Sequence, residues 1–198
     1  MAYKGPVVLK IGGSLIEHGD KIIQIIKETG RNLLIIPGGG IFSDTVRRSG
    51  AGGTCAHWMA IAAMDQYGWY LSEFGLPTTD TPCFMGSPHI LLPYLHMLTA
   101  DPLPHSWDIT SDTISAYYAD LLSVPLIILK SIEYIRSNGK PVQMLTDDVV
   151  TDDLDPECLS FLLSHELNGK IILGTDYLRL KSLLIGDEVE GTTFGRTI

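Results

Sequence analysis

One lysine, Lys10, lies inside the apolar run VVLKI and is followed almost at once by Gly12, Gly13 and Ser14. Lysine is among the residues least often fully buried, so a lysine in an apolar segment indicates a functional role for its positive charge. Glycines let backbone N–H groups approach an anion, and a helix start behind them adds partial positive charge. A lysine at a strand end can act as a point charge against phosphate. We favour this role over a lysine that extends to solvent at the rim of the sheet.

A second glycine loop, Pro37-Gly38-Gly39-Gly40, also follows an apolar stretch and precedes a helical one. Ligands bind beyond the carboxyl ends of the strands in an open α/β sheet, so the two loops predict two phosphate sites. Each loop alone is weak evidence, because glycine after a strand is often a simple turn. Neither is a P-loop or a dinucleotide fingerprint, since both lack the lysine with following Ser or Thr and the GxGxxG spacing.

Asp112 opens a predicted helix, with Asp108 four positions before it. A helix cap is the simple interpretation of an aspartate at this position. The functional alternative is a carboxylate that orients lysines around a transferring phosphoryl group, because phosphoryl transfer depends mainly on positioning and charge stabilisation. Lys130, at the end of another apolar strand, is a candidate for the second lysine. Lys170 is an alternative, although a solvated lysine is its simpler interpretation.

Alternating strand and helix patterns must position these residues. Short apolar runs predict strands at 6–11, 32–36, 125–130 and 169–174, with a last strand at 190–194. Helical spacing and end signals predict helices at about 20–30, 41–50, 54–74, 110–122, 155–166 and 176–186. The proline-rich segment 75–105 predicts loops and short strands on the flank of the sheet. Apolar strands that alternate with helices predict a parallel α/β sheet.

Composition narrows the class of protein. The chain has 198 residues, is 45% hydrophobic and carries a formal net charge of −9, which suits a globular protein with a sizeable core. A nucleic-acid binder is usually basic, so nucleic acid is not an expected partner. No apolar run approaches the roughly 20 residues of a membrane helix, and the first residues lack a signal-peptide pattern. We therefore expect a cytoplasmic protein with no membrane partner.

Its three cysteines form no metal-binding spacing.

Taken in order, Lys-x-Gly-Gly-Ser, Pro-Gly-Gly-Gly, Ser-Asp-Thr at a helix start and the closing EGTTF resemble the amino acid kinase family. That family includes acetylglutamate kinase, aspartokinase, carbamate kinase and UMP kinase. The resemblance implies a three-layer α/β/α sandwich around a mostly parallel sheet, as one domain over 1–198. Its acceptor-binding part would span about 1–124 and a shortened nucleotide-binding part about 125–198. It also implies ATP as phosphoryl donor, Mg2+ held mainly through the nucleotide phosphates with no metal ligands from the protein, and a homo-oligomer.

The resemblance also implies roles for individual residues. Three would be catalytic: Lys10, Asp112 and Lys130. The lysines would contact the ATP phosphates together with the backbone of Gly12, Gly13 and Ser14, and Asp112 would organise the lysines. The acceptor side would be formed by Gly38, Gly39, Gly40, His105, Trp107, Asp108 and Ser111, with His57 as a further candidate.

The acceptor is expected to be a small molecule that already carries a phosphate. The segments HWMAIAAMDQYG and DPLPHSWDITSDTISAYYA are similar to a family member that phosphorylates such a monophosphate. The segment LKSIEYI departs from the family, which usually has Thr-Asp-Val-Asp-Gly-Val there. UMP, acylamino acid or carbamate acceptors stay open, and Arg47 and Arg48 would be available cations for a carboxylate, although a solvated helix face is their simpler interpretation. A non-catalytic nucleotide or oxyanion binder also stays open.

Overall fold

The computed structural model describes residues 4–195, so the first and last three residues of the predicted domain lie outside it. The strands are β1 Val7–Ile11, β2 Leu33–Pro37, β3 Thr78–Thr79, β4 His89–Leu91, β5 Leu126–Lys130, β6 Arg136–Ser137, β7 Lys140–Pro141, β8 Gly169–Leu173 and β9 Thr192–Phe194. The helices are α1 Gly19–Thr29, α2 Gly40–Arg48, α3 Gly53–Ser72, α4 Tyr94–Ala100, α5 Ser111–Leu121, α6 Pro156–Ser164 and α7 Tyr177–Ile185. A short 3-10 helix, Gly13–His18, joins β1 to α1. Within residues 4–195, no helix combines the length and the apolarity needed to cross a lipid bilayer.

The central sheet has seven strands in the order β3-β4-β2-β1-β5-β8-β9. Every neighbouring pair is parallel except β8 and β9, which are antiparallel. The predicted parallel α/β sheet is therefore confirmed. Because the chain continues from β1 to β2 on one side and later adds β5 on the other, a crevice opens outside the carboxyl ends of these strands.

Side-chain alternation along the central strands divides the core into two clusters, one on each face of the sheet. Leu9 packs with residues of α1 and α7, whereas Val8 packs with residues of α5 and α6. Side chains alternate along a strand, so Lys10 lies on the same face as Val8. Lys130 likewise shares the face of Ile128, which packs in the Val8 cluster. The fold thus directs both lysines toward the layer that contains α5.

The predicted elements lie within two residues of their expected limits, and segment 75–105 is the main difference. There β4 is a fully buried strand inside the sheet, and α4 is a helix that was not predicted. Pro93 is the N-cap of α4, a place where proline costs little because the first N–H groups of a helix have no partner within it. The β6–β7 hairpin was also missed, and its turn carries Asn138 and Gly139 with φ of 51° and 75°.

Candidate active site

Lys10, Asp112 and Lys130 meet at the carboxyl end of the central strands. Lys10 Nζ lies 2.7 Å from Asp112 Oδ1, and Lys130 Nζ lies 2.7 Å from Asp112 Oδ2. The lysines come from the adjacent parallel strands β1 and β5, and Asp112 comes from the first turn of α5. One carboxylate therefore bridges two ammonium groups, which leaves one positive charge in excess within this triad.

Burial and charge together determine the ionisation of the triad. The side chains of Lys10 and Asp112 are only 5% and 6% exposed. Burial lowers the pKa of Lys10 below its ordinary value, and the carboxylate of Asp112 opposes this shift. Burial would raise the pKa of Asp112, but the two lysines overcome that effect and hold its pKa well below the usual range. Asp112 is therefore a carboxylate at neutral pH.

A second buried carboxylate, Asp155, fixes the start of α5. Its Oδ2 accepts hydrogen bonds from the backbone N–H groups of Thr110 and Thr113 at 3.0 Å each, and from the Thr110 hydroxyl at 2.9 Å. Its Oδ1 accepts a hydrogen bond from the Thr113 hydroxyl. Sequence reasoning missed this residue. An aspartate before Pro156 signals only the N-terminus of α6, and nothing in the spacing connects it to α5.

The two glycine loops, for which the sequence predicts two phosphate sites, contact each other. A Cβ added to Gly13 would lie 2.2 Å from the backbone nitrogen of Gly40, and one added to Gly38 would lie 2.6 Å from the nitrogen of Gly13. Gly40 also has a φ of +53°. The loops therefore cross backbone to backbone where only glycine fits, and Gly13, Gly39 and Gly40 line the same cavity.

That cavity has a volume of about 640 Å3 and opens beside the triad. Lys10, Lys130 and Asp112 line its charged end. Its apolar wall consists of Ala60, Ile61, Met64, Ile109 and Ile114. A cavity of this size with an apolar wall and a few convergent polar groups is typical of small-molecule sites.

The predicted nucleotide contacts of the first loop are only partly compatible with the structure. Gly13 and Ser14 line the cavity, and Gly12 does not. The N–H of Gly12 donates a hydrogen bond to the carbonyl oxygen of Leu129 at 3.0 Å, so it is not free to bind phosphate. Gly13 and Ser14 begin the 3-10 helix, where the first N–H groups have no partner within the helix.

Lys130, and not Lys170, accompanies Lys10. The ammonium group of Lys170 donates to the carbonyl oxygen of Val189, and this side chain is not part of the cavity wall. Lys170 is nevertheless buried rather than solvated, because it lies within the sheet on β8.

The predicted acceptor residues separate into two groups. The cavity is lined by Gly39, Gly40, Trp107 and Ser111, and it is not lined by Gly38, His105 or Asp108. The N–H of Gly38 donates to the carbonyl oxygen of Ile11 at 2.9 Å, which continues the strand pairing. Asp108 is exposed and accepts a hydrogen bond from the Ser106 hydroxyl at 2.7 Å. Neither residue is therefore directed at a ligand in this cavity.

His105 lies behind His57 rather than in the cavity. Its Nε2 is 2.7 Å from Asp101 Oδ1 and its Nδ1 is 3.0 Å from Thr54 Oγ1. The rings of His57 and His105 stack with centroids 4.4 Å apart, and His57 lines the cavity. Burial lowers the pKa of His57, so this ring is neutral at neutral pH. His57 is the histidine available to a ligand, and His105 supports it.

Arg47 is a cavity residue, which differs from its simpler interpretation as part of a solvated helix face. Its guanidinium carbon lies 4.9 Å from the centre of the Trp107 ring, and its Nη1 lies 3.2 Å from Asp44 Oδ1. All three side chains line the cavity. The Arg47 side chain is still 51% exposed. Arg47 and Trp107 therefore connect α2 to the loop that precedes α5.

The donor set of the site suits phosphate groups better than a metal ion bound by protein alone. Within the described residues, no group of three or more His, Cys, Asp and Glu side chains is arranged to hold a metal ion. The buried carboxylate of Asp112 is occupied by both lysines.

Solved kinases share the overall fold. Uridylate kinase from Archaeoglobus fulgidus superposes with a TM-score of 0.69 and 16% identity over 98% of this chain and 100% of that chain. UMP kinase from Bacillus anthracis superposes with a TM-score of 0.65 and 16% identity over 98% of this chain and 97% of that chain. An isopentenyl phosphate kinase superposes with a TM-score of 0.63 and 15% identity over 95% of this chain and 99% of that chain. The chain has the amino acid kinase fold. The predicted sandwich of helices around a mostly parallel sheet is thus confirmed.

Sequence similarity identifies a relative that is also a kinase. The [5-(aminomethyl)furan-3-yl]methyl phosphate kinase of Methanocaldococcus jannaschii is 34% identical over 137 residues, which cover 62% of this chain and 63% of that protein. The chain thus matches slightly less than two thirds of that relative's length. No protein-family model matches the chain. Together with the amino acid kinase fold, this similarity confirms the resemblance that the glycine and lysine motifs indicated.

Proposed function

We propose that the protein is a small-molecule kinase that transfers the γ-phosphoryl group of ATP to an acceptor already carrying a phosphate. The acceptor is (5-(aminomethyl)furan-3-yl)methyl phosphate, and the product is its diphosphate, in methanofuran biosynthesis. The observation that carries the reaction type is the Lys10–Asp112–Lys130 triad beside a cavity bordered by two glycine loops. The relative with 34% identity supports the choice of acceptor.

In this reaction an oxygen of the acceptor phosphate attacks the γ-phosphorus of ATP. The bond between that phosphorus and the β,γ-bridging oxygen breaks, and ADP leaves with the oxygen. Lys10 and Lys130 stabilise the negative charge on the transferring group, and Asp112 holds their ammonium groups in place. Because the attacking oxygen is already anionic, the reaction needs no general base. Mg2+ bound to the nucleotide phosphates would neutralise part of their charge.

The cavity offers complementary groups for the rest of the acceptor. Gly39 and Gly40 lie at the N-terminus of α2, where backbone N–H groups and the helix dipole favour an anion. Arg47 adds a cation on the same side. We assign the acceptor phosphate to these groups, the furan ring to the apolar wall beside His57, and the ammonium group to the carboxylates of Glu17 and Asp44, which also line the cavity.

The nucleotide-binding part is assigned to about 125–198, with Lys130, Lys10, Gly13 and Ser14 on the ATP phosphates. The family resemblance supports this assignment. No described residue after Lys130 in the chain lines the cavity. The adenosine would therefore lie outside the acceptor cavity.

We also propose a cytoplasmic homo-oligomer. The resemblance to the amino acid kinases supports it, and Met59 and Trp69 on α3 are 39% and 59% exposed apolar side chains. Sedimentation of the purified protein tests this proposal, and a monomer at micromolar concentration would contradict it.

The deciding experiment measures ADP release from Mg-ATP with and without the furan phosphate. UMP, acetylglutamate, aspartate and carbamate serve as competing acceptors in parallel reactions. Turnover restricted to the furan phosphate would support the proposal in full. Turnover with another acceptor would support the kinase activity and contradict the proposed acceptor. ATP binding without any turnover would favour a non-catalytic nucleotide-binding protein.

A further inference from the structure

We propose that Asp155 is a positioning residue for phosphoryl transfer: it holds the N-terminus of α5 so that Asp112 reaches both lysines, and it supplies the second negative charge of their buried cluster. This inference rests on the proposed function of the triad. Asp155 touches neither lysine in a hydrogen bond and lies 8% exposed at the N-cap of α6. It therefore acts through other residues.

The geometric part of the argument concerns the residues on either side of Asp112. Thr110 and Thr113 together give Asp155 four hydrogen bonds, two from backbone N–H groups and two from hydroxyls. Asp112 lies between these two threonines in the chain. A second contact joins the same elements, because the N–H of Glu157 donates to the carbonyl oxygen of Asp108 at 3.2 Å. The first turn of α5 is thus attached to α6, and the direction of the Asp112 side chain depends on it.

The electrostatic part concerns the balance of buried charge. Lys10 and Lys130 carry two positive charges against the one negative charge of Asp112, and an uncompensated buried charge is costly. Asp155 brings the cluster to neutrality. The charged groups that act on Lys10 are Asp112, Lys130 and Asp155, and the negative charge of Asp155 raises the pKa of Lys10 against the lowering by burial. Asp155 thus helps Lys10 to stay protonated.

A simple cap would not require a carboxylate. Serine and asparagine cap helices well, but the amide nitrogen of an asparagine cannot accept a hydrogen bond. Here both oxygens of Asp155 accept hydrogen bonds from α5 while the residue also precedes the first turn of α6. The four donors thus bind a side chain with two acceptor oxygens, which an asparagine cannot replace in full.

The test compares Asp155→Asn with two controls. Thr113→Val removes one hydroxyl donor and keeps the charge, and Asp152→Asn makes the same chemical change at an exposed position three residues earlier. We expect Asp155→Asn to lower kcat by about tenfold or more, because small misplacements of catalytic groups cost that much. We also expect the fall of kcat at alkaline pH to begin at a lower pH than in the native protein. Both controls should keep the native alkaline profile.

A second readout needs no substrate and separates this inference from the proposed reaction. NMR of lysine-labelled protein follows the titration of Lys10, assigned by the loss of its signal in Lys10→Arg. Asp155→Asn should lower the pKa of Lys10, whereas Thr113→Val and Asp152→Asn should not. If no acceptor is turned over but this shift is seen, the proposed reaction fails and the electrostatic role of Asp155 stands.

Two results would overturn the inference. One is a folded Asp155→Asn protein with native kcat, native alkaline profile and unchanged Lys10 titration. The other is an equal shift of the Lys10 titration in Thr113→Val, which would mean that the charge of Asp155 does not cause the shift. If Asp155→Asn does not fold, Asp155→Glu replaces it: the retained charge should keep the Lys10 titration native, and a shift there would equally contradict the inference.

Discussion

Lys10 and Lys130 lie on adjacent parallel strands and bind opposite oxygens of one carboxylate. The register places Lys10 beside Ile128, so Lys130 is two residues further along its strand and on the same face. Lys130 lies nearer the carboxyl end of the sheet than Lys10, and both ammonium groups meet at Asp112. The rigid part of the fold thus sets the spacing of the two charges.

Replacing Lys10 by Met should lower kcat by about a hundredfold or more, because a charge aimed at the transferring phosphoryl group is lost. The fold should be retained, since Asp112 keeps its partner Lys130. Initial rates with Mg-ATP and the furan phosphate, together with a thermal melt, check both statements. Lys181→Met is the matched control, because Lys181 is half exposed and pairs with Glu28 away from the cavity. Full activity of Lys10→Met would remove Lys10 from the mechanism.

Replacing Asp112 by Ala should harm stability more than replacing either lysine. It removes the carboxylate that binds both ammonium groups and leaves only the charge of Asp155 near them, and breaking a buried ion pair costs about 3–5 kcal/mol. Urea unfolding at neutral pH measures the change. Adding Lys10→Met to Asp112→Ala should restore part of the lost free energy of unfolding, and strict additivity of the two changes would argue against the bridged triad.

Replacing Arg47 by Ala should raise the KM for the acceptor by about tenfold, or about 1.4 kcal/mol, with little change in the KM for ATP. The reason is that the proposed function assigns Arg47, which contacts Trp107, to the acceptor phosphate. Arg48→Ala is the matched control, since Arg48 is exposed and does not line the cavity. Equal effects of the two changes, or an effect on ATP alone, would contradict the assignment.

The stability of the protein should respond to pH through Asp65. Burial raises its pKa to about 6, although the N–H of Tyr94 donates to it at 3.0 Å. A raised carboxyl pKa means that the folded state holds its proton more tightly than the unfolded state. Its contribution is therefore fully present below the unfolded value near 4 and is lost as the pH rises through about 6.

The variant Asp65→Asn removes this ionisation while its side-chain carbonyl can still accept from Tyr94. Because Asp65 is partly exposed, we expect a gain of only about 1 kcal/mol at pH 8 and none at pH 4. Thermal melts of both proteins at the two pH values measure it. A gain of the same size at pH 4 would assign the effect to something other than ionisation.

Replacing Gly13 by Ala should destabilise the protein and abolish activity, since the new Cβ would overlap the backbone of Gly40. Neither backbone can yield without moving its loop. Gly52→Ala is the control, because a Cβ there meets nothing within 4 Å. Differential scanning calorimetry separates the two variants, and comparable melting temperatures would show that the loops do not cross as described.

Local patterns were sufficient for five strands of the central sheet, most helices and the residues of the triad. An apolar strand that ends in lysine can be recognised from a few consecutive residues, and parallel pairing places two such strand ends side by side. The family resemblance predicts His105 and Asp108 on the acceptor side, but neither lines the cavity. The actual outcome depends on contacts with Thr54, Asp101 and Ser106 that are set by side-chain direction.

Long-range partners explain what could not be predicted. Asp155 and Thr113 meet only because α6 packs beside α5, and Arg47 meets Trp107 only when α2 and the loop before α5 are folded. Gly12 and Gly38 look like free loop glycines in the sequence, yet their N–H groups continue the hydrogen bonding of the strands. In each case the decisive neighbour lies far away along the chain.

The crossing of the two glycine loops has a consequence for how the two ligands affect each other. A ligand that displaces the Gly40 backbone must also displace Gly13, because no side chain separates them. If one ligand moves its loop on binding, its occupancy would change the free energy of binding of the other, and the effect would be equal in both directions. The two halves of the site would behave as a single thermodynamic unit, with acceptor and nucleotide binding as linked equilibria.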